Sequence, residues 1–246
     1  MELLHIFGRQ YTGFNMSIGY DNLAINSGLL LHLTFEEMTG ILAHDRAKPA
    51  HPHTLIGVPT WNSLGNGLPY LDFIRANPDW LECSIADTAD LNFTDGDFSL
   101  CAWVQPDLLS FNLFDRGLWA VDGWYLSVGA LGQTIIETNQ GGDSQLSVGA
   151  DGGVVVGTWS LISMSRSGTS ARLFLNGVDN TDTVDVHTNP LTSNRKLHIG
   201  IYNSEVAAQY DGKIAGGPCG PRIWGRAVSA LEWPLVFNME RDWFGV

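Results

Sequence analysis

Asp and Glu are the most numerous residues that could do chemistry. The chain contains 26 of them and 13 Lys and Arg. Cleaving a sugar requires two carboxyl groups about 5–10 Å apart. On one strand, this requires acids two positions apart, on the same face. The strand-like runs carry Asp72, Glu82 and Glu137 singly, while Asp95 and Asp97 stand in the turn-like stretch TDGD. The sequence therefore predicts a protein that is not an enzyme.

The other candidate residues do not favour a phosphate-binding, metal-binding or reactive-thiol site. The stretch DGKIAGGPCGPRIW lacks the spacing of a phosphate-binding loop, and Cys219 has no second thiol nearby for zinc. His51 and His53 stand on a proline-rich loop, where solvated side chains are the favoured interpretation over a metal site. Cys83 and Cys101 lie in strand-like runs. Reduced packing is favoured for them, and a disulfide between them stays open.

Two tryptophans are candidates for sugar binding, because an aromatic face stacks on a pyranose ring and the ring edge offers a polar handle. Trp119 and Trp124 flank the stretch AVDG and are the exposed-aromatic candidates. Trp103 and Trp159 stand in alternating contexts and are predicted to pack in the core. For Trp124, which stands in a strand-like run, a core position is likewise the favoured interpretation. The sequence thus predicts a glycan site at Trp119 and Trp124, without its other residues.

Charge and composition limit the partners. The formal net charge of −13 repels phosphate backbones and anionic lipids, so neither nucleic acid nor a membrane is an expected partner. With 44% hydrophobic and 16% charged residues, the chain is expected to fold around a sizeable core. The first residues lack a basic region followed by a long apolar stretch. We therefore expect synthesis in the cytoplasm without a signal peptide.

Short apolar runs separated by turn residues follow one another from residue 28. They predict strands at 29–35, 70–74, 80–85, 97–105, 123–129, 133–138, 144–149, 153–166, 171–180 and 195–202. Asn176 and Gly177 favour a two-residue hairpin turn, and Ser229 with Glu232 forms a capping-box signature for one short C-terminal helix. This pattern predicts an all-β domain at 28–246, either a sandwich or a barrel, preceded by an extended N-terminal arm at 1–27.

The order of several phrases resembles a known family. DFSLCAWV, WSLISM, LFLNG and LHIG follow one another, and a stretch from DGKI to RIWGRAVSALE comes after them. This succession resembles the laminin-G-like branch of the concanavalin A-like jelly-roll family over about residues 28–240. The resemblance implies a jelly roll of two antiparallel sheets. It also implies a late strand from YDGKI to PRIW, with glycines where backbone passes close to backbone.

A candidate calcium site is a further implication of the resemblance. Many laminin-G-like domains bind calcium at the rim of the sandwich, through two Asp side chains and backbone carbonyls. Asp45, in the first long loop, and Asp211, before a Gly-Lys pair, occupy matching positions. The chain departs from the pattern after its GKI strand, where Ala215 and Gly216 stand in place of a further Asp.

A non-enzymatic binding or structural module is the function that these observations favour. We expect the predicted arm to be held either by its own domain or by a neighbouring subunit. In the second case it indicates a homo-oligomer. It equally fits a surface component of a larger assembly such as a virion capsid or tail, with glycan adhesion as an added activity. A soluble glycan-binding lectin is the alternative, and a glycoside hydrolase is the third.

Overall fold

Two antiparallel β-sheets lie face to face in the computed structural model, which describes residues 23–203 and 207–246. The first sheet contains β1 (Leu29–His32), β4 (Thr60–Ser63), β5 (Pro69–Phe73), β7 (Phe98–Pro106), β12 (Ser160–Ser167), β13 (Ser170–Leu175), β14 (Val178–Asp179), β17 (Gly212–Ala215) and β18 (Arg222–Trp224). The second sheet contains β2 (Leu42–Ala43), β3 (His53–Ile56), β6 (Trp80–Cys83), β8 (Phe111–Leu118), β9 (Asp122–Val128), β10 (Thr134–Gln140), β11 (Asp143–Gly149), β15 (Thr181–Thr183) and β16 (Leu197–Ile199). The predicted all-β sandwich is confirmed.

Strand order determines which residues share a face. The second sheet runs β15-β11-β10-β9-β8-β16-β6-β3-β2, so four consecutive strands, β8 to β11, lie side by side. In the first sheet, β7 lies between β12 on one side and β17 and β18 on the other. The second sheet therefore carries an uninterrupted antiparallel meander, and the first sheet is built around one long central strand.

Strand β7 has apolar side chains on both faces. Leu100, Ala102 and Val104 belong to the main core between the sheets, while Cys101 and Trp103 belong to a second apolar cluster on the opposite side of the first sheet. A strand covered on both faces is a continuous apolar run rather than an alternating one. The stretch FSLCAWV has this form.

The C-terminal helix α1 (Trp233–Glu240) covers the outer face of the first sheet. The indole N–H of Trp233 donates to the hydroxyl of Ser165 on β12 at 3.0 Å. Glu240 accepts a hydrogen bond from the indole of Trp103 at 2.7 Å and forms a buried ion pair with Arg222 at 2.7 Å. These contacts fix the helix at both ends, so the first sheet lies between the main core and a C-terminal cover.

The glycine-rich stretch before the helix is the structural closure that the resemblance implied. A Cβ at Gly220 would lie 1.8 Å from the carbonyl oxygen of Leu33, and a Cβ at Gly216 would lie 2.4 Å from that of Thr34. Any side chain at either position would collide with the backbone that continues β1. Glycine is therefore required by close backbone approach.

The predicted strands are confirmed with shifts at their ends, except that residues 153–159 precede β12 without forming a strand. Five strands were not predicted, namely β2, β3, β4, β8 and β15, and the late strand implied from YDGKI to PRIW is two strands, β17 and β18. Asn176 and Gly177 have φ of 51° and 78°, as the hairpin turn requires. The backbone N–H of Ser229 donates to Glu232 at 2.8 Å, which is one half of the predicted capping box. The run FNLFDRGL was not predicted as a strand, yet it forms β8. Its polar residues are buried with the apolar ones, so no alternation marks it.

The predicted arm lies mostly outside the described residues, since its residues 1–22 are not among them. Leu23–Ser27, its last part, follows the C-terminal closure: Trp224 donates to the carbonyl of Ile25 at 2.8 Å, and Arg226 donates to that of Ser27 at 2.7 Å. Within residues 23–203 and 207–246, no helix has the length and apolar character needed to cross a bilayer.

The three cysteines are free and buried, so the Cys83–Cys101 disulfide that the sequence left open does not form. The fold separates the two thiols. Cys83 packs in the main core, whereas Cys101 points to the second apolar cluster on the other side of the first sheet. Burial raises the pKa of both thiols to about 12, which keeps them protonated.

Candidate functional site

A groove of about 350 Å³ lies on the outer face of the second sheet, over strands β8 to β11. Alternation along β9 places it there, because Trp124 and Leu126 point into the main core while Tyr125 and Ser127 point away from it. Its lining includes four aromatic residues, Phe111, Trp119, Tyr125 and Tyr202, and four other polar ones, Ser110, Asn112, Ser127 and Glu137. The groove therefore combines aromatic walls with a polar floor.

A row of polar side chains crosses the floor of this groove. Tyr125 on β9 stands opposite Asp115 on β8 and opposite Glu137 on β10. Directly opposed residues of antiparallel strands project to the same face. The two carboxyl groups thus flank one phenol, with their strands two spacings, or about 9–10 Å, apart.

Trp119 stands at the rim, in the turn between β8 and β9, with 61% of its surface exposed. Its backbone N–H donates to the hydroxyl of Tyr202 at 2.8 Å, and the next residue, Ala120, donates its N–H to the side chain of Asn139 at 2.9 Å. At the base of the turn, a Cβ at Gly123 would lie 2.0 Å from the carbonyl oxygen of Arg116. The turn is thus fixed by its neighbours, and the indole projects from a rigid base.

Asp115 is fully buried beneath the groove. Its carboxylate accepts hydrogen bonds from the side chain of Asn112 at 2.8 Å, from the backbone of Gly117 at 3.1 Å and from the backbone of Asn203 at 3.3 Å. Burial raises the pKa of Asp115 to about 7, although these hydrogen bonds oppose the shift. Asp115 therefore changes charge near neutral pH.

Glu137 lines the groove directly and is 3% exposed. Its carboxylate accepts hydrogen bonds from the hydroxyls of Ser144 and Tyr125. Burial raises the pKa of Glu137, and burial together with Glu137 raises the pKa of Tyr125. The ring of Tyr125 meets that of Tyr202 edge to face, with centroids 5.7 Å apart. The floor is thus an acid held by hydroxyl groups under two packed aromatic rings.

Positive charge is confined to the surroundings of the groove. The groove-lining side chains, as far as the structure describes them, include no Lys, Arg or His. Arg195, whose charge reaches Tyr202, is paired with Asp122 at 3.0 Å, and Lys196 is paired with Glu82 at 2.9 Å. The groove is therefore lined by neutral and acidic groups.

The structure separates the two tryptophans proposed for sugar binding. Trp119 is at the groove, but Trp124 is 1% exposed and packs against Phe93 and Phe98 in the main core. Its indole N–H donates to the carbonyl of Leu91 at 2.9 Å. Neither face of the Trp124 ring is open to a ligand, so the core alternative applies to it. Strand alternation is the reason, since residue 124 points inward.

Asp45 and Asp211, the two candidate calcium ligands, belong to different hydrogen-bond networks. The buried carboxylate of Asp45 accepts from the backbone of His32 at 2.7 Å and from the ring of His51 at 2.8 Å. Asp211 accepts from the backbone of Arg75 at 3.2 Å. Across the described parts of the chain, no three His, Cys, Asp or Glu side chains gather as a metal site would require. The carboxylate of Asp45 accepts hydrogen bonds from several groups of its own loop, including the backbone N–H groups of Ala47 and His51.

The loop histidines are buried, so the expectation of solvated side chains is wrong for two of them. His51 is bonded to Asp45 at 2.8 Å and to Asp90 at 3.0 Å. Burial lowers the pKa of His51, but these carboxylates outweigh it and leave the pKa above its usual value. Burial lowers the pKa of His53 to about 4. The pair helps hold the loop to the sheet.

Acids do occur singly along each strand, as expected, but strand pairing brings two of them to one face. Asp115 and Glu137 flank Tyr125, and neither Asp115 nor Tyr125 was a candidate residue from the sequence. Asp115 has no exposed surface, and three N–H groups hold its carboxylate. This pair differs from the accessible twin acids of sugar cleavage. The outward alternation of Tyr125 and Ser127 in GWYLSV was the one sequence signal for this face.

Residues 84–232, more than half of the chain, match the family described as the concanavalin A-like lectin/glucanases superfamily, in a laminin G profile. The chain belongs to this family, which confirms the resemblance drawn from its phrases. No curated protein matches the chain.

Solved structures with the same fold include toxin binding domains. The chain is similar to the binding domain of paraclostridial mosquitocidal protein 1 (TM-score 0.67, 13% identity, 90% of this chain and 56% of that chain). It is also similar to the binding domain of botulinum neurotoxin DC in complex with SialylT (0.61, 13%, 87% and 51%). A third is botulinum neurotoxin type C, whose cell entry depends on two ganglioside molecules (0.63, 12%, 87% and 52%). The chain spans about half the length of these structures, and at such identity the likeness defines the fold.

Proposed function

We propose that the protein is a lectin-like module that binds a carbohydrate in the groove on the outer face of the second sheet. The observation that carries this proposal is Trp119, an exposed indole on a rigid turn beside the polar floor of Ser127 and Glu137. A sugar offers an apolar ring face for the indole and hydroxyl groups for the floor.

The exposure of Trp119 supports a binding role because it stands out among the tryptophans. The sequence contains nine Trp, and among the described residues Trp119 is the one whose side chain is mostly exposed to solvent. Burying a large aromatic ring is strongly favourable. An indole fixed in solvent beside a groove therefore indicates a surface that a ligand covers.

The family and the solved neighbours support carbohydrate binding as the class of function. The family description names lectins, and two neighbours are described with SialylT or with gangliosides. Those ligands belong to larger proteins, of which this chain spans about half. We propose carbohydrate binding for this chain and do not extend the proposal to the particular ligands of those proteins.

A glycan array tests the proposal with wild type, Trp119→Ala and Leu235→Ala. Leu235 is equally exposed, at 62%, but lies on α1 beyond the first sheet, so it is a matched control. We expect wild type and Leu235→Ala to bind the same glycans, and Trp119→Ala to bind at least about tenfold more weakly. Equal binding by Trp119→Ala, or no glycan bound by wild type, would contradict the proposal.

We further infer binding without cleavage. The burial of Asp115 and the hydroxyl contacts of Glu137 support this, since neither acid has the free access that a glycosidic oxygen needs. Prolonged incubation with each bound oligosaccharide should leave it intact by mass spectrometry. Release of a shorter sugar that disappears in Glu137→Gln would favour the hydrolase alternative.

A role in assembly is the second candidate, favoured by an apolar stripe on the closing segment. Leu231, Leu235 and Met239 are 84%, 62% and 64% exposed and recur every four residues, which is the spacing of one helix face. The end of the predicted arm lies nearby, because Arg226 bonds both Ser27 and Glu232. A homo-oligomer or a component of a particle such as a virion would cover this stripe.

Native mass spectrometry distinguishes this second candidate. The full chain should be an oligomer or co-purify with a particle, and replacing the three stripe residues by Ser should release a folded monomer. Removal of residues 1–27 should have the same effect if the arm takes part. A full chain that is monomeric at every concentration would contradict the assembly role.

A further inference from the structure

We propose that the groove discriminates among sugars by charge, and binds amine-bearing sugars most tightly, neutral sugars less tightly and acidic sugars least. This inference rests on the proposed carbohydrate function and names the ligand class for the same groove. The charges that line the groove and lie beneath it support this order of affinity.

The negative charge of the site is concentrated under the aromatic rings. Glu137 lines the groove, and Asp115 lies in the same cross-strand row on the other side of Tyr125. Further along this row stand His198 on β16, next to Asp115, and Glu82 on β6, with 3.8 Å between their side chains. The acids of the row therefore outnumber its one titratable base.

Among the described residues, the acids next to the groove accept hydrogen bonds from neutral donors and not from a cation. Asn112, Gly117 and Asn203 bond Asp115, and Ser144 and Tyr125 bond Glu137. The raised pKa of Asp115 and of Glu137 agrees with this arrangement, because burial is its first cause. A ligand ammonium would supply the opposite charge that these buried carboxylates lack.

The aromatic rings act in the same direction. The faces of Trp119, Tyr125 and Tyr202 carry negative electrostatic potential, which attracts a cation positioned over them. An acidic sugar would instead bring its carboxylate towards Glu137 and Asp115 without a Lys or Arg among the described lining residues to receive it. Like charges at short range in a partly desolvated groove repel strongly. Both effects give the same order of affinity.

Matched sugars test this order in solution. The probes are oligosaccharides whose terminal residue is glucosamine, glucose or glucuronic acid, and the same set built on galactose, measured by calorimetry near pH 7. Each set keeps the stereochemistry and changes the charge. We expect each step from amine to neutral to acid to weaken binding by about tenfold, the effect of one short-range charge interaction in a partly desolvated site. Raising the salt to about 1 M should compress the order in wild type, since it shortens the screening length to about 3 Å.

Two variants locate the source of the order. Glu137→Gln keeps the size of the side chain and should reduce each step to threefold or less. Asp72→Asn removes the same charge from β5, in the other sheet, and should leave the order unchanged. Equal effects of both variants would attribute the order to the net charge of the chain and overturn the inference. The salt titration of wild type supplies a second measurement if Glu137→Gln does not fold.

The outcomes separate the inference from the function on which it rests. Glycan binding that needs Trp119 but shows no charge order, or that favours acidic sugars, overturns the charge inference alone. An order that persists unchanged at high salt overturns it as well. The absence of any binding to these and other glycans overturns the proposed function and the inference together.

Discussion

The outer faces of the two sheets differ in what covers them. On the first sheet, Trp103 and Trp224 join the second apolar cluster, and α1 lies over them with its own Trp233 in the same cluster. On the second sheet, Tyr125 and Glu137 are part of an open groove. Both sheets share one main core, so the difference arises at the outward positions of their strands. The C-terminal closure thus decides which face of the sandwich is left for a ligand.

Single strands illustrate the same contrast. The outward residues of β7 include Cys101 and Trp103, which need an apolar cover, whereas those of β9 are Tyr125 and Ser127, which tolerate water. The inward residues of both strands are apolar. Outward side chains therefore specify the cover, and inward side chains specify the sandwich.

The largest expected effect comes from removing the ion pair that fixes α1. Glu240→Ala leaves Arg222 buried without its carboxylate partner, so we expect the free energy of unfolding to fall by about 3–5 kcal/mol. Urea denaturation measures this loss. Arg241→Ala is the control, because Arg241 is 47% exposed and should change stability by less than about 1 kcal/mol. Similar losses in both variants would show that the pair does not anchor the cover.

Acid should act through buried neutral histidines, and His53 on β3 of the second sheet is the clearest case. Burial lowers the pKa of His53 to about 4 from 6.5, so the unfolded chain binds more protons between these values. The contribution of His53 to stability is complete above pH 6.5 and is lost as the pH falls towards 4. The total loss is on the order of 3 kcal/mol.

The variant His53→Gln checks this by difference. As the pH falls from 6.5 to 4, wild type should lose stability relative to His53→Gln in urea titrations, whereas His44→Gln, at an exposed position, should follow wild type. The comparison with wild type is needed because His51, whose pKa is raised, acts with the opposite sign. Its contribution is lost as the pH rises through that raised pKa. Parallel curves for wild type and His53→Gln would refute the assignment.

Two neighbouring residues of α1 test the cover at smaller scale. Val236 is 3% exposed in the second apolar cluster, and Leu235 is 62% exposed. Val236→Ala should cost about 2 kcal/mol by creating a cavity, while Leu235→Ala should change the free energy of unfolding by less than about 0.5 kcal/mol. If thermal denaturation gave the reverse order, the helix would be oriented differently from the structure.

The smallest effect on stability is expected at the groove. Trp119→Ala removes an exposed ring from a turn held by backbone bonds, so the free energy of unfolding should change by less than about 0.5 kcal/mol. The same variant should lose glycan affinity. A large loss of stability would indicate that the indole packs within the domain rather than serving a ligand.

Much of the fold could be predicted from local sequence, because turns and strand patterns are local. Asn176 and Gly177 marked the hairpin, whereas the closure around Gly220 was implied by the family resemblance. The site could not be predicted in the same way. Strand pairing brings Asp115 and Glu137 to one face, on either side of Tyr125, and Asp115 lies on a strand whose buried polar residues show no alternation.

Chain direction determines how two of the candidate residues are placed. Trp124 and Asp45 each have a suitable type and position, but their availability depends on which way the chain points. Alternation along β9 turns Trp124 into the core, and the loop folds back so that His51 occupies the carboxylate of Asp45. Residue type was predictable, and orientation was not.

Nuclear magnetic resonance of the indole N–H groups tests the central claim, that a ligand binds the outer face of the second sheet, most directly. The nine tryptophans sample both faces and the core, and Trp119→Phe assigns the groove signal. Titration with the tightest glycan from the array should shift the Trp119 signal. It should leave unchanged the signals of Trp224 on β18 and Trp233 on α1, which are both buried at the outer face of the first sheet. Shifts at Trp224 and Trp233 with a constant Trp119 signal would contradict the claim, because the ligand would then bind at the first sheet.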